Sequence, residues 1–303
     1  MTRFVLTVTA TAAAITFAVS CRKPRRIDAE RAAALFDRVP VDTQGGHGLS
    51  GLAVDRDGAL WTVAERGAVA FRIQLDGTAI TSTTRIPVEG LPPGEDLEAA
   101  AALPDGDLVV GTEGRTAGTA RLFRLHRDGD VLRVTGEPIT IGKADAGIDV
   151  GANHGAEAAC SVGTRVAVAL ETAGQDASGR WAPLVIVDLA SGRRTGHRVR
   201  LRTATGKLSG LDCWADGDRV RAIAIERHFE VTQVVGFDLP ADGAATTDLT
   251  TTQLLDLGPA LRGSLNLEGL VRLADGRLIA VVDNQYRGVN GPDELLVFKS
   301  PVR

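Results

Sequence analysis

Five segments of one pattern, spaced about fifty residues apart, constrain this chain more than any other feature. They are LSGLAVDRDGALWTVAERG (49–67), DLEAAAALPDGDLVVGTEG (96–114), GAEAACSVGTRVAVALETAG (155–174), LSGLDCWADGDRVRAIAIERH (208–228) and LEGLVRLADGRLIAVVDNQ (267–285). Each alternates apolar and polar residues on both sides of a glycine-containing turn, which is the pattern of an antiparallel β-hairpin. Four turns are Asp-Gly and the third is Val-Gly. Each hairpin is followed by a third strand-like run: AFRIQLDG, RLFRLHRDG, LVIVDLASG, VVGFDLPADG and LLVFKSP. The first four copies then add a fourth: TSTTRIPV, LRVTGEPITI, TGHRVRLR and TTQLLDLG. A strand-only repeat of this length predicts an all-β fold, a β-propeller with one four-stranded sheet per repeat. Five blades is the count, and six would need a disguised copy. The fifth copy lacks a fourth strand, and LFDRVPVD (35–42) stands unassigned upstream. That segment is expected to complete the last blade and close the ring, removing the exposed sheet edges. The propeller then spans 35–303, and 27–34 is expected to be a short helix or linker.

Aligning the copies places Ser50, Glu98, Glu157, Ser209 and Glu268 in one column. The first strand of each propeller blade lines the central channel, so this column is expected to face the axis near one rim. The second strand returns to that rim at Glu65, Glu113, Glu171, Glu226 and Asp283. Eight carboxylates are therefore expected at or near one mouth. Carboxylates that close raise one another's pKa unless a positive charge sits among them. Three carboxylates and two hydroxyls form an oxygen-only donor set, which suits a hard, flexibly coordinated cation such as calcium. The alternative is that these side chains bind channel water or pair with Arg66, Arg115 and Arg227 at the rim.

A family resemblance enters on these residues. A five-bladed propeller that offers Ser, Glu, Glu, Ser and Glu in that order resembles the calcium-activated nucleotidase (apyrase) family. SGLAVDRDGALWTVAERG is similar to that family's first such segment, and LEGL to its last. The resemblance implies Ser50, Glu98, Glu157, Ser209 and Glu268 as calcium ligands. Two departures bear on its nucleotide chemistry. Ala64-Glu65-Arg66-Gly67 replaces the family's acidic-basic turn, and Glu171-Thr172-Ala173 replaces its paired arginines. LSGLAVD, DLEA and NLEGL also resemble the phytase-associated esterase-like and SdiA-regulated propeller families, which imply the fold and an exported location more than a reaction.

Other candidates follow from their place at the rim. Glu65 and Glu171 are the residues expected to orient an attacking water. Arg66, Arg115, Arg227 and Arg287 could clamp an anionic substrate. Trp181 and Tyr286 could stack on a base or sugar, or cover blade ends, and covering is the favoured reading. His47 and His154 each lie three residues before a ring position. There is no Gly-rich phosphate loop, no His-Glu-x-x-His and no Gly-x-Ser-x-Gly elbow. Cys160 and Cys213 fall on opposite strand faces of neighbouring blades and could meet across the interface. Two buried thiols are favoured there, with a disulfide as the alternative.

Residues 1–21 read as an export signal: Arg3, an uncharged apolar run from Phe4 to Val19, then Ala18-Val19-Ser20-Cys21. That tetrad resembles the bacterial lipoprotein box, which implies Cys21 as a lipid anchor and residues 22–34 as a tether beginning RKPRR. The expected location is the bacterial cell envelope, facing periplasm or exterior. The expected partners are the membrane through that lipid, and a small phosphorylated substrate or an envelope partner. A formal net charge of −4 gives no electrostatic case for nucleic acid. The leading expectation is a calcium-dependent phosphohydrolase, and the alternative is a non-catalytic binding propeller with a structural calcium.

Overall fold

In the first repeat, the turn glycine Gly58 takes φ +80°, a conformation that a side chain would oppose. The hairpin it closes pairs Leu49–Val54 with Leu60–Ala64, and Val69–Asp76 and Ala79–Glu89 extend the sheet outward in sequence order. The computed structural model describes residues 27–44, 48–113, 118–152, 154–228, 231–241, 244–283 and 292–301. Cys21, Arg115 and Arg287 lie outside these, as do the signal, the basic tether, His47, Tyr286 and the tip of the last loop.

The other repeats are built the same way, each beginning with its innermost strand: Asp96–Ala102, Ala156–Val162, Lys207–Asp216 and Asn266–Arg272. The first two repeats share one eight-stranded sheet because their outer strands join through a short parallel pairing of Val88–Glu89 with Leu132–Arg133. Each innermost strand touches the next in chain order, and Asn266–Arg272 touches Leu49–Val54. The fold is thus an all-β propeller. Its core comprises five apolar clusters, each filled by side chains from two neighbouring repeats. Successive side chains point to opposite faces of a sheet, and strands such as Leu60–Ala64 and Leu278–Asp283 are buried at every position, so each sheet offers a buried surface to both sides.

The N-terminal strand closes the ring as expected. Phe36–Pro40 pairs antiparallel with Glu294–Phe298 in the last sheet. Phe36 and Phe298 meet edge to face at 5.7 Å and are each 2% exposed. Aromatic pairs of this kind contribute about 0.5–1.5 kcal/mol beyond area burial. The residues before this strand form a helix, Ala29–Leu35, capped by the Asp28 carboxylate accepting from the Arg31 N–H. Among the described residues no helix is long and apolar enough to cross a membrane.

One expectation is corrected. Cys160 and Cys213 form a disulfide across the third and fourth repeats, with α-carbons 5.7 Å apart. The opposite strand parity does turn them toward one another, and the close approach of inner strands brings them within bridging range. A bridge of this kind contributes about 2–4 kcal/mol.

Candidate active site at the axial mouth

All five inner strands bulge at the ring level. The register slips between Leu97 and Ala99, Ala156 and Ala158, Leu208 and Gly210, and Leu267 and Gly269. The residue left out of the ladder is therefore Glu98, Glu157, Ser209 or Glu268. In the first repeat the slip falls between Ser50 and Leu52. A bulge frees one residue from pairing and re-aims its side chain, which is why bulges gather beside functional sites. The glycines beside the ring serve the same geometry. Gly51, at φ +55°, lies so close to the second repeat that a Cβ would stand 2.7 Å from the Ala100 nitrogen.

The mouth is a cavity of about 810 Å³. Seven carboxylates line it (Glu65, Glu98, Glu113, Glu157, Glu171, Glu268 and Asp283) against four strong cations, Arg66, Arg180, Lys207 and Arg227. Glu226, expected here as an eighth acid, is turned away. It is buried and accepts from the Arg202 and Thr203 N–H groups, the Thr203 hydroxyl and the Gln233 amide, so it anchors the 202–206 loop. Trp181, read as a stacking residue or, preferably, a cover for a blade end, is outside the pocket lining: it is 5% exposed and covered by the Arg198 guanidinium at 4.7 Å.

The pocket is unevenly paired. On the side of the third to fifth repeats, Lys207 Nζ donates to Glu157 at 3.1 Å and bonds Glu171. Arg227 donates to Glu157 at 3.4 Å and bonds Glu268. The Asn266 amide bridges Glu268 at 2.6 Å and Asp283 at 2.9 Å. On the side of the first two repeats, the carboxylates of Glu65, Glu98 and Glu113 have no hydrogen-bond or ion-pair partner among the described residues. Burial and like charge raise all three, against smaller opposition from Arg66 at Glu65 and from Lys207 and His154 at Glu113. Glu65 is pushed up to about 8 by burial, then by Asp283 and Glu268. Glu98 is held well above the carboxylate range by burial, then by Glu65 and Glu157. Glu113 rises through burial and Glu171. On the paired side, burial still lifts Glu157 to about 8 although Lys207 and Arg227 oppose it. Burial pulls Lys207 down, but Glu157, Glu268 and Glu171 outweigh it and keep the ammonium charged.

Lys207 and Asn266 are the site residues that the sequence reading missed. Each lies two residues before a ring position, Ser209 and Glu268, so strand periodicity could have found them. His154 does line the pocket, with its Nδ1 against the Ala152 carbonyl at 2.8 Å.

The expected calcium set fits only in part. The Ser50 hydroxyl donates to the Glu98 carbonyl at 2.7 Å and the Ser209 hydroxyl to the Leu267 carbonyl at 2.6 Å, so both tie neighbouring repeats together. Glu157 and Glu268 are already ion-paired. Among the described residues, no three His, Cys, Asp or Glu side chains converge as they stand into a chelating group. Of the expected set, Glu98 alone keeps an unpaired carboxylate, and Glu113, which lies outside that set, adds a second unpaired oxygen donor whose charge repels it.

The comparisons with known proteins bear on the whole chain. The search of curated proteins finds no match. Among solved structures, a luciferin-regenerating enzyme is 12% identical, with a TM-score of 0.51 over 88% of this chain and 82% of that one. The PQQ-bound aldose sugar dehydrogenase of Streptomyces coelicolor is 15% identical, with a TM-score of 0.53 over 88% of this chain and 98% of that one. At such identity the likeness is one of fold, and it agrees with a propeller. Residues 44–286 match the family described as phytase-like, esterase-like activity of phytase. That match takes in every ring position and both hairpin ends around the pocket, and the chain belongs to the phytase-like family.

Proposed function

We propose that this chain is a five-bladed propeller hydrolase, exported to the bacterial envelope and lipid-anchored at Cys21. Its substrate would be a phosphoester or phosphoanhydride, cleaved in the axial pocket with calcium. The observation that carries the reading is the uneven pairing of the mouth. Three buried acids, Glu65, Glu98 and Glu113, stand without partners opposite a half already neutralised by Lys207 and Arg227. The five inner strands in mutual contact support the blade count. A family described by esterase-like activity supports ester hydrolysis. The disulfide supports an oxidising compartment, in keeping with export.

Glu98 and Glu113 would hold the cation, with water completing its shell. Calcium bound there would supply Lewis-acid polarisation of a substrate oxygen. The remaining work falls to the chain's own groups. Arg66 and Arg180 line the wall and would hold the anionic part of the substrate. Burial raises the Glu65 carboxyl to about 8 and its side chain has no partner among the described residues, so it can hold a proton and pass it to the leaving-group oxygen as water adds to phosphorus and the P–O bond breaks. Glu171 is less suited to that task because Lys207 occupies it. Lys207 and Arg227 fix Glu157, Glu171 and Glu268 and keep the far wall rigid.

The test is a panel of p-nitrophenyl phosphate, p-nitrophenyl acetate and a nucleoside diphosphate, run with calcium and with chelator on wild type and Glu65→Gln. Calcium-dependent phosphate release, reduced about 100-fold or more in the variant, is expected. No turnover of any substrate would sink the catalytic reading. The second reading, a binding propeller with a structural calcium, is favoured by one observation: Glu157, Glu171 and Glu268, three of the seven acids, already have resident counter-ions. It would be supported by a calcium-dependent gain in stability without turnover.

A further inference from the structure

Further along the same inner strands, toward their hairpin turns, lies a second cavity of about 190 Å³. It is a throat with main-chain walls. Ala53 and Ala100 turn their side chains into one apolar cluster between repeats, and Ala101 and Ala159 turn theirs into another. Each innermost strand is hydrogen-bonded within its sheet on one side only. The free edge of such a strand offers N–H and C=O groups toward the axis. Among the described residues, the charged side chains that reach the throat are Asp212, from the fourth repeat, and Arg272, from the fifth.

Their charges are unequally satisfied. Asp212 Oδ2 accepts from the Arg272 backbone N–H at 2.6 Å and Oδ1 from that of Cys213 at 2.9 Å. The Arg272 guanidinium lies over the Trp214 ring at 4.7 Å. It has no hydrogen-bond or ion-pair partner among the described residues, and its Nε is buried. A guanidinium is always charged, and a charge held away from bulk water is costly unless it is paired. The contact with Trp214 fixes its plane, and the buried Nε leaves the Nη groups as the donors that can serve a ligand.

We propose that the throat holds a small monovalent inorganic anion as the counter-ion of Arg272. Main-chain N–H groups and water complete its shell. Walls of peptide rather than hydrocarbon suit a hydrated ion without an apolar body. Asp212 sets the charge limit. Its carboxylate in the same throat penalises a second negative charge on the ligand, which disfavours sulfate and phosphate. Because Arg272 and Trp214 belong to neighbouring repeats, the bound ion stabilises the closed ring by mass action. None of these residues lines the acidic mouth, so the site stands or falls independently of the hydrolase reading.

The test is chloride NMR line broadening on the full-length protein, titrated with nitrate and separately with sulfate at constant ionic strength. Saturable broadening that nitrate reverses and sulfate does not is expected. Arg272→Gln is expected to weaken chloride about tenfold or more, the loss of a charge-assisted contact. Arg180→Gln, which alters a cation of the mouth instead, is expected to leave that binding unchanged. Anomalous diffraction from wild-type crystals grown in bromide locates the ion directly, and it decides the matter if Arg272→Gln fails to fold. A bromide peak against the Arg272 guanidinium is expected. The proposal is overturned if wild type shows no saturable broadening, or if a folded Arg272→Gln binds chloride as wild type does. It is equally overturned if sulfate competes as well as nitrate, or if bromide leaves the throat empty.

Discussion

Replacing Glu65 with glutamine isolates the electrostatic cost that the acidic mouth imposes on folding. The Glu65 carboxyl moves from 4.5 to about 8 on folding, driven by burial and then by Asp283 and Glu268. A raised carboxyl pKa means that the native state binds the proton more tightly than the unfolded state. Metal-free stability is therefore fully present below 4.5 and declines as pH rises toward 8. Each pKa unit is worth about 1.4 kcal/mol, so the interval sets a ceiling of roughly 5 kcal/mol. Coupling to the neighbouring Glu98 carboxyl reduces Glu65's own part to about 2–3 kcal/mol. Glutamine keeps the shape and never ionises. In chelator, Glu65→Gln should match wild type at about pH 4 and melt about 5–10 °C higher at about pH 8.5, at 2–4 °C per kcal/mol for a domain of this size. The assay is thermal unfolding by circular dichroism across that pH range. Parallel curves for the two proteins, with a constant gap, would refute the reasoning.

Other expectations follow from named contacts. Lys207→Met leaves Glu157 and Glu171 buried without their shared ammonium and should destabilise by about 3–5 kcal/mol at pH 7.5; adding Glu171→Gln should restore part of the loss in denaturant unfolding. Reducing Cys160–Cys213, or replacing both cysteines with alanine, should lower stability by about 2–4 kcal/mol, read from urea midpoints. Gly51→Ala forces a Cβ against the second repeat at a positive φ and should reduce stability by about 2 kcal/mol or more, seen as a lower melting temperature.

The fold was legible because it repeats. Five copies of one hairpin fix strand parity, and strand parity fixes which residues face the axis. The missing fourth strand of the last copy pointed to residues 35–42, and Phe36–Pro40 does pair there. The ring column was legible for the same reason, and the bulges sharpen it by lifting Glu98, Glu157, Ser209 and Glu268 out of the ladder. What parity could not supply is the partner each polar group chooses. Glu226 occupies the same hairpin position as Glu171, yet loop N–H groups from residues 202 and 203 capture it. Ser50 and Ser209 stand in the ring column, yet their hydroxyls bond the carbonyls of the next repeat. Trp181 starts a strand near the rim but folds under Arg198. Each outcome depends on loops and neighbouring repeats far away in sequence, where periodicity says nothing.

The most direct test of the central claim is calorimetric titration of calcium into chelator-stripped protein at pH 7.5, in two buffers of different ionisation heat, for wild type and Glu98→Gln. Glu65, raised to about 8, holds a proton that a bound cation must displace, and burial shifts Glu98 and Glu113 in the same direction. The account predicts one calcium per chain, proton release to the buffer, and loss of binding in Glu98→Gln. Absence of binding to wild type, or binding that Glu98→Gln leaves unchanged, would contradict it.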